Sequence, residues 1–238
     1  MIHFYHLWLG GDWKTIADEH FAALRAAEFP GGVRVGLVGS PEARDEAQNW
    51  LDRRWNYGIA DEADEGFEEV TLRSLHDLAG ALQPSTPILY AHNKGSFHPV
   101  SKAGIDENTP WRQEMTRYFV DAWSSRVAEL SGHDVVAWHW LPAGIIGPTG
   151  IALDCTVPAG NFWLARAGYL KKLPLLPPKL VEDNRIEAET WLAEGNPRVK
   201  CLSTEWPSVS IGHWEFQYAM PGFPHTGRWV LISDNPVD

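Results

Sequence analysis

The apolar run Pro87-Ile88-Leu89-Tyr90-Ala91 ends in His92-Asn93-Lys94-Gly95. If that run is a strand, it delivers an imidazole, an amide, an ammonium and a glycine turn to one rim. Lys94 is a point charge suited to phosphate oxygens, and Gly95 lets the backbone approach a ligand closely. The alternative is an ordinary polar turn. A second cluster is Gly160-Asn161-Phe162-Trp163-Leu164-Ala165-Arg166. Here a sugar ring would pack on Trp163 while its hydroxyls meet Asn161; the alternative is an aromatic core strand. The third is Arg185-Ile186-Glu187-Ala188-Glu189-Thr190-Trp191. On a helix, Glu187 and Glu189 point roughly 160–200° apart, so at most one faces a given cleft. A carboxylate there, beside Trp191, suits a general base or the orientation of an acceptor hydroxyl. A solvated helix surface is the alternative.

These groups need elements to hold them. Ile2–Leu9 alternates and is rich in aromatics, which predicts a strand, and Gly10-Gly11 ends it. Asp12 is placed to cap a helix carrying Ile16, Phe21, Leu24 and Ala27. Pro30-Gly31-Gly32 stops it, and residues 33–39 read as a strand buried on both faces. Ser40-Pro41 opens the next helix, with serine as cap and proline in the first turn. This β-α-β-α opening predicts a mostly parallel sheet. In such sheets ligands sit beyond the carboxyl ends of the strands, so Gly10, Gly11 and residues 92–95 become candidate rim residues.

The acidic run Asp61, Glu62, Asp64, Glu65, Glu68, Glu69 reads as a solvated loop. A strand is expected at 67–72 and a helix at 74–82. Thr109-Pro110 opens the clearest helix, striped by Met115, Phe119, Trp123, Val127 and Leu130. Strands are expected at 135–140, 161–165 and 198–202, a helix at 187–192, and a flexible Gly/Pro-rich loop at 142–150. Three prolines, Pro174, Pro177 and Pro178, make 171–179 irregular. Aromatic strand character recurs at 228–232.

Composition narrows the field. The chain has 238 residues, 13 tryptophans and net charge −11, enough for one ordinary domain with a well-filled core. A generic nucleic-acid binder is disfavoured, because phosphate neutralisation wants a basic stripe. Residues 94–200 balance 12 bases against 12 acids, which leaves room for a locally basic cleft. Cys155 and Cys201 cannot make a disulfide framework and fit a reduced, intracellular compartment. There is no run of roughly 20 apolar residues and no signal-peptide pattern, so a soluble cytoplasmic protein is expected. No GxxxxGK[ST], HExxH, CxxC or GxSxG motif occurs, and no GxGxxG follows the first strand.

Taken in order, the segments Tyr90-Ala91-His92-Asn93-Lys94-Gly95, Trp111-Arg112, Gly160-Asn161-Phe162-Trp163-Leu164-Ala165 and Glu189-Thr190-Trp191 resemble a group of bacterial and viral, phage-type glycosyltransferases. The resemblance covers about residues 87–202, and Gly-Asn-Phe-Trp is its most specific part. It implies a single GT-A-like α/β domain, a mixed, mostly parallel sheet flanked by helices. Residues 1–95 would form the donor-nucleotide half and 96–238 the sugar and acceptor half. It implies transfer of a sugar from a nucleotide-sugar, UDP-sugar above others, to a hydroxyl of a polysaccharide, a protein or a modified base in phage DNA. In a phage-encoded protein the site of action would be the host cytoplasm. His92, Asn93, Lys94, Gly95, Gly10 and Gly11 would bind the donor. Asn161, Trp163 and Trp191 would lie near sugar or acceptor, and Glu189, less so Glu187, near the reaction centre. The chain lacks the Asp-x-Asp motif of the wider GT-A pattern. Either Lys94 and its neighbours take the place of a metal as counter-charge, which is the favoured expectation, or Mn or Mg is held by groups such as Asp154, His213 or His225. Two other classes stay open: a non-catalytic carbohydrate- or nucleotide-binding module, and a glycoside hydrolase using Glu187 or Glu189 with Asp183.

Overall fold

The computed structural model describes residues 1–96, 108–138, 140–141, 157–158, 160–181 and 184–202. In chain order the elements are β1 (Ile2–Trp8), α1 (Trp13–Ala26), β2 (Gly32–Val38), α2 (Pro41–Asp52), β3 (Tyr57–Ala63), α3 (Glu69–Ala81) and β4 (Pro87–His92). Then come α4 (Asn108–Thr116), α5 (Trp123–Glu129), β5 (Val135–Ala137), β6 (Trp140–Leu141), β7 (Val157–Pro158), β8 (Trp163–Arg166), α6 (Ala167–Leu170), α7 (Ile186–Thr190) and β9 (Val199–Cys201).

Seven strands form one sheet in the order β3-β2-β1-β4-β8-β5-β9. β8 alone runs against its two neighbours; every other pairing is parallel. The architecture is therefore the expected mixed, mostly parallel sheet with helices on both faces. One face packs α1, α2 and α4 through Phe21, Leu51 and Met115 onto Tyr5, Leu7 and Leu164. The other packs α3, α6 and α7 through Leu72, Leu75, Leu170 and Ala188 onto Phe4, Tyr90 and Ala137. Both faces of β1 and β4 are covered, which is why their residues read as near-continuous apolar runs.

Ser40 caps α2 as expected, its Oγ accepting from the Ala43 amide at 3.3 Å with Pro41 in the first turn. Asp12 precedes α1 but makes no side-chain cap bond, contrary to expectation. Two further readings are corrected. The acidic run is not a solvated loop throughout: Asp61 and Glu62 lie on β3, the exposed edge of the sheet, while Glu69 is fully buried. Residues 67–72 do not form a strand; Glu69 already begins α3, because Leu72, Leu75 and Ala79 recur at helical spacing against the sheet. Glu69 ties this start down, accepting the Phe67 amide at 2.8 Å and the Leu180 amide at 3.0 Å.

The helix expected from Thr109 onward is interrupted by a π-helical turn at Arg117–Asp121. Met115, Phe119, Trp123 and Val127 are spaced by fours, which drifts off one face of a 3.6-residue helix. A wider turn restores the phase and buries Met115, Phe119 and Leu130 together.

Candidate functional site

The chain runs from β1 outward to β2 and β3, then returns to place β4 on the other side of β1. The carboxyl ends of β1 and β4 thus flank the point where the strand order reverses, the usual place for a ligand crevice in an open α/β sheet. A cavity of about 220 Å³ opens there. His6 and Trp8 of β1, residues 92–96 after β4, Glu68 ahead of α3, and Arg185, Ala188 and Glu189 of the α7 segment line it. The first and third sequence clusters therefore converge on one hollow.

Local chemistry explains how the rim is built. The Asn93 side chain is 3% exposed and docks against the end of β1. Its Nδ2 donates to the Trp8 carbonyl at 2.8 Å, and its Oδ1 accepts from the Trp8 amide at 3.0 Å. This amide side chain continues the β1–β4 pairing after the backbone turns away. Lys94 follows, with its Nζ 4.1 Å from the centroid of the buried Trp111 ring. Arg112 fastens the same turn, its Nη1 donating to the Lys94 carbonyl at 2.9 Å while Nη2 pairs with Glu19 at 3.1 Å. Gly10 and Gly11 do not line the cavity; Gly10 lies under the Trp8 ring, and Gly11, at φ +57°, packs on the Ser96 carbonyl, where a Cβ would collide.

The second cluster supports the wall from behind. Gly160 and Asn161 both adopt left-handed backbone, at φ +81° and +50°. That bend turns the Gly160 carbonyl toward His92, which donates to it from Nε2 at 3.0 Å. Asn161 is 2% exposed; its Nδ2 donates to Glu68 Oε2 at 2.6 Å and its Oδ1 accepts from Trp163 Nε1 at 2.9 Å. Trp163 stacks on Tyr90 in the core at 5.0 Å, and Trp191 is buried with its Nε1 donating to the Pro174 carbonyl at 2.7 Å. Both tryptophans lie off the cavity wall. Glu187 also faces elsewhere, accepting from Asn184 at 3.2 Å. As the two-residue spacing requires, only one of the two glutamates meets the cleft.

The residue that sequence reasoning missed is Glu68. Its Oε2 accepts from the Tyr90 hydroxyl and from Asn161, each at 2.6 Å, and its Oε1 stands 3.4 Å from His92 Nδ1. Nothing local distinguishes Glu68 from the exposed acids before it, because its partners lie 22 and 93 residues away.

Charge in this hollow is perturbed by burial. Desolvation raises Glu189 above the usual carboxylate range, only partly offset by Lys94. Desolvation lowers Lys94 below the usual ammonium range against the opposing pull of Glu189 and Glu68. His6 and His92 are each pushed down to about 4, again chiefly by desolvation. A carboxylate drawn up and an ammonium drawn down by burial in one cleft mark a candidate functional site. Among the described residues no three His, Cys, Asp or Glu side chains converge to hold a metal ion, and the Glu68 oxygens already face Tyr90, Asn161 and His92. Asp154, His213 and His225 lie outside the described residues.

Among the described residues no helix is long and apolar enough to cross a membrane. No curated protein matches the chain. Among solved structures it is similar to S. aureus TarS 1-349, at 13% identity and TM-score 0.47, over 86% of this chain and 59% of that one. It is also similar to 4-diphosphocytidyl-2C-methyl-D-erythritol synthase, at 12% identity and TM-score 0.38, over 72% of this chain and 78% of that one. The chain thus spans little more than half the length of the first of these structures. Residues 4–216 match the family described as Domain of unknown function (DUF8361), and the chain belongs to that family.

Proposed function

We propose that this chain is a GT-A-like glycosyltransferase that moves a sugar from a nucleotide-diphosphate donor, UDP-sugar above others, to an acceptor hydroxyl. The observation that carries the reading is the cavity at the β1–β4 switch, where Lys94 and Glu189 line the same hollow. Lys94, held over the Trp111 ring, faces the charge that develops on the departing diphosphate. Glu189, raised by burial, accepts the proton of the incoming hydroxyl in an inverting transfer. In a retaining transfer it orients that hydroxyl. Trp8 on the cavity wall offers a flat apolar surface for a nucleobase or sugar ring. The sequence resemblance over residues 87–202 supports the same assignment, and no step in it is routed through a metal.

The acceptor class is a polysaccharide, a protein or a modified DNA base, and the net charge of −11 weighs against duplex DNA. We read the site of action as the cytoplasm. A carboxylate-based hydrolase would need two carboxyls available to one substrate. Glu68 is already engaged by Tyr90 and Asn161, which leaves Glu189.

The test is a thermal-shift screen against nucleoside diphosphates and nucleotide-sugars, with and without manganese. A ligand at 100 times its dissociation constant should add about 2.7 kcal/mol. Slow donor hydrolysis without acceptor separates an enzyme from a non-catalytic binding module. No stabilisation by any nucleotide or nucleotide-sugar would remove the proposal.

A further inference from the structure

The transfer step leaves Glu68 without a role, although it sits on the cavity wall with its side chain only 14% exposed. The Gly160 carbonyl can only accept, so His92 Nε2 carries the hydrogen of the 3.0 Å bond between them. Nδ1 of the same ring then turns its lone pair toward Glu68 Oε1, 3.4 Å away. The other carboxylate oxygen takes two donors, Tyr90 Oη and Asn161 Nδ2. A lone pair facing a carboxylate oxygen is unfavourable unless a proton stands between them. The geometry thus contains a place for one proton, held open by Tyr90 on β4 and by Gly160 and Asn161 in the bend before β8.

We propose that Glu68 and His92 act as a proton-storing pair, so that a diphosphate entering the cavity draws one proton from solvent into the gap between Oε1 and Nδ1. The inference rests on the reading of the cavity as a diphosphate site. The groups around the pair give the direction. Lys94 at the end of β4 and Arg185 at the start of α7 oppose a further positive charge, while Glu189 favours it. His6 of β1 is held neutral by burial. In the free protein, desolvation and Lys94 keep His92 low, and the gap is empty near neutral pH. A diphosphate offsets Lys94 and Arg185, and the balance tips toward imidazolium. The proton comes from the buffer, forms an N–H bond at Nδ1, and no other bond changes. The outcome is a second positive group beside Lys94, present only when the donor is bound. Glu68 is the positioning residue of that pair.

Glu68→Gln closes the gap without removing its supports. The amide N–H donates to His92 Nδ1, and the amide oxygen accepts from Tyr90 and Asn161. Protonating Nδ1 would then set two donors face to face. The experiment is titration calorimetry of the full chain with UDP, and separately with inorganic pyrophosphate, at pH 7 in buffers of different ionisation enthalpy. The slope of heat against buffer enthalpy counts protons. The native chain should take up roughly 0.5–1 proton per ligand, and Glu68→Gln should lose most of that uptake while its circular dichroism stays native. His92→Asn should lose it as well, and serves if Glu68→Gln does not fold. Binding with no proton uptake, or an uptake that Glu68→Gln and His92→Asn leave unchanged, overturns the inference and leaves the diphosphate reading standing. Failure of both UDP and pyrophosphate to bind overturns the reading of the cavity, and the inference with it.

Discussion

β1 sends His3 to one face of the sheet and His6 to the other, and the two faces treat their histidines differently. On the α1 side, His20 donates from Nε2 to His3 Nε2 at 2.8 Å, and His3 donates from Nδ1 to the Leu89 carbonyl at 3.2 Å. Tyr5 stacks on His20 at 4.4 Å, and the three side chains are at most 2% exposed. That chain of donors is closed among the described residues: a further proton on His20 Nδ1 would find no acceptor there, since that atom is buried without a partner among them. On the α3 side, His6 and His92 share their surroundings with Glu68, Lys94 and Glu189 around an open cavity. One face links His3 and His20 through neutral hydrogen bonds in a closed core. The other leaves Glu68, Lys94 and Glu189 around an open cavity. A single strand separates the two because alternate residues point to opposite faces.

This contrast can be broken from either side. The largest effect is expected from Glu189→Gln, which should lower turnover about 10²- to 10⁴-fold with UDP binding retained. Stopped assays with the best donor from the ligand screen measure it, and unchanged turnover would remove Glu189 as the base. The native rate should rise with pH through a group above the usual carboxylate range, and this limb should vanish in the variant. Lys94→Ala should weaken donor affinity about 10- to 100-fold, as loss of one charge-assisted contact implies. An unaltered donor KM would dismiss its phosphate role.

The closed face should respond in stability alone. His20→Leu leaves His3 Nε2 without its donor and should cost about 1–3 kcal/mol in urea unfolding, with activity per folded molecule unchanged. Lost activity at full stability would mean that the two faces are coupled. A slope of stability with pH is expected as well. His3 and His6 are held at about 4 in the folded chain, below the unfolded value of 6.5. The unfolded chain therefore binds their protons first as pH falls below about 6.5. Stability is full above that value and declines toward pH 4, by up to about 1.4 kcal/mol per pH unit for each histidine. Denaturant midpoints that stay flat from pH 7 to 5 would contradict this.

What could be read from the sequence follows the same division. β1, β2 and β4 were legible because burial on both faces writes itself as unbroken apolar runs. The Ser40-Pro41 cap was legible because its rule is local. That the turn at 92–95 and Glu189 meet at one cavity was legible from their places at a strand end and on a short helix. β3 was not, since as an edge strand it carries Asp61 and Glu62 and resembles a loop. Glu68 was not, since its partners are Tyr90 on β4 and Asn161 in the bend before β8, far along the chain. Trp163 drew notice as a surface for sugar, yet the same aromatic pattern also describes the core position where it stacks on Tyr90.

The contact of Gly11 with the Ser96 carbonyl has a consequence for anyone who would reshape this protein. The two segments behave as a clasp, so a longer graft at one demands a matching change at the other. Variation meant to admit a bulkier substrate is better directed to Phe67, which lines the cavity and is only partly buried against the α3-side core.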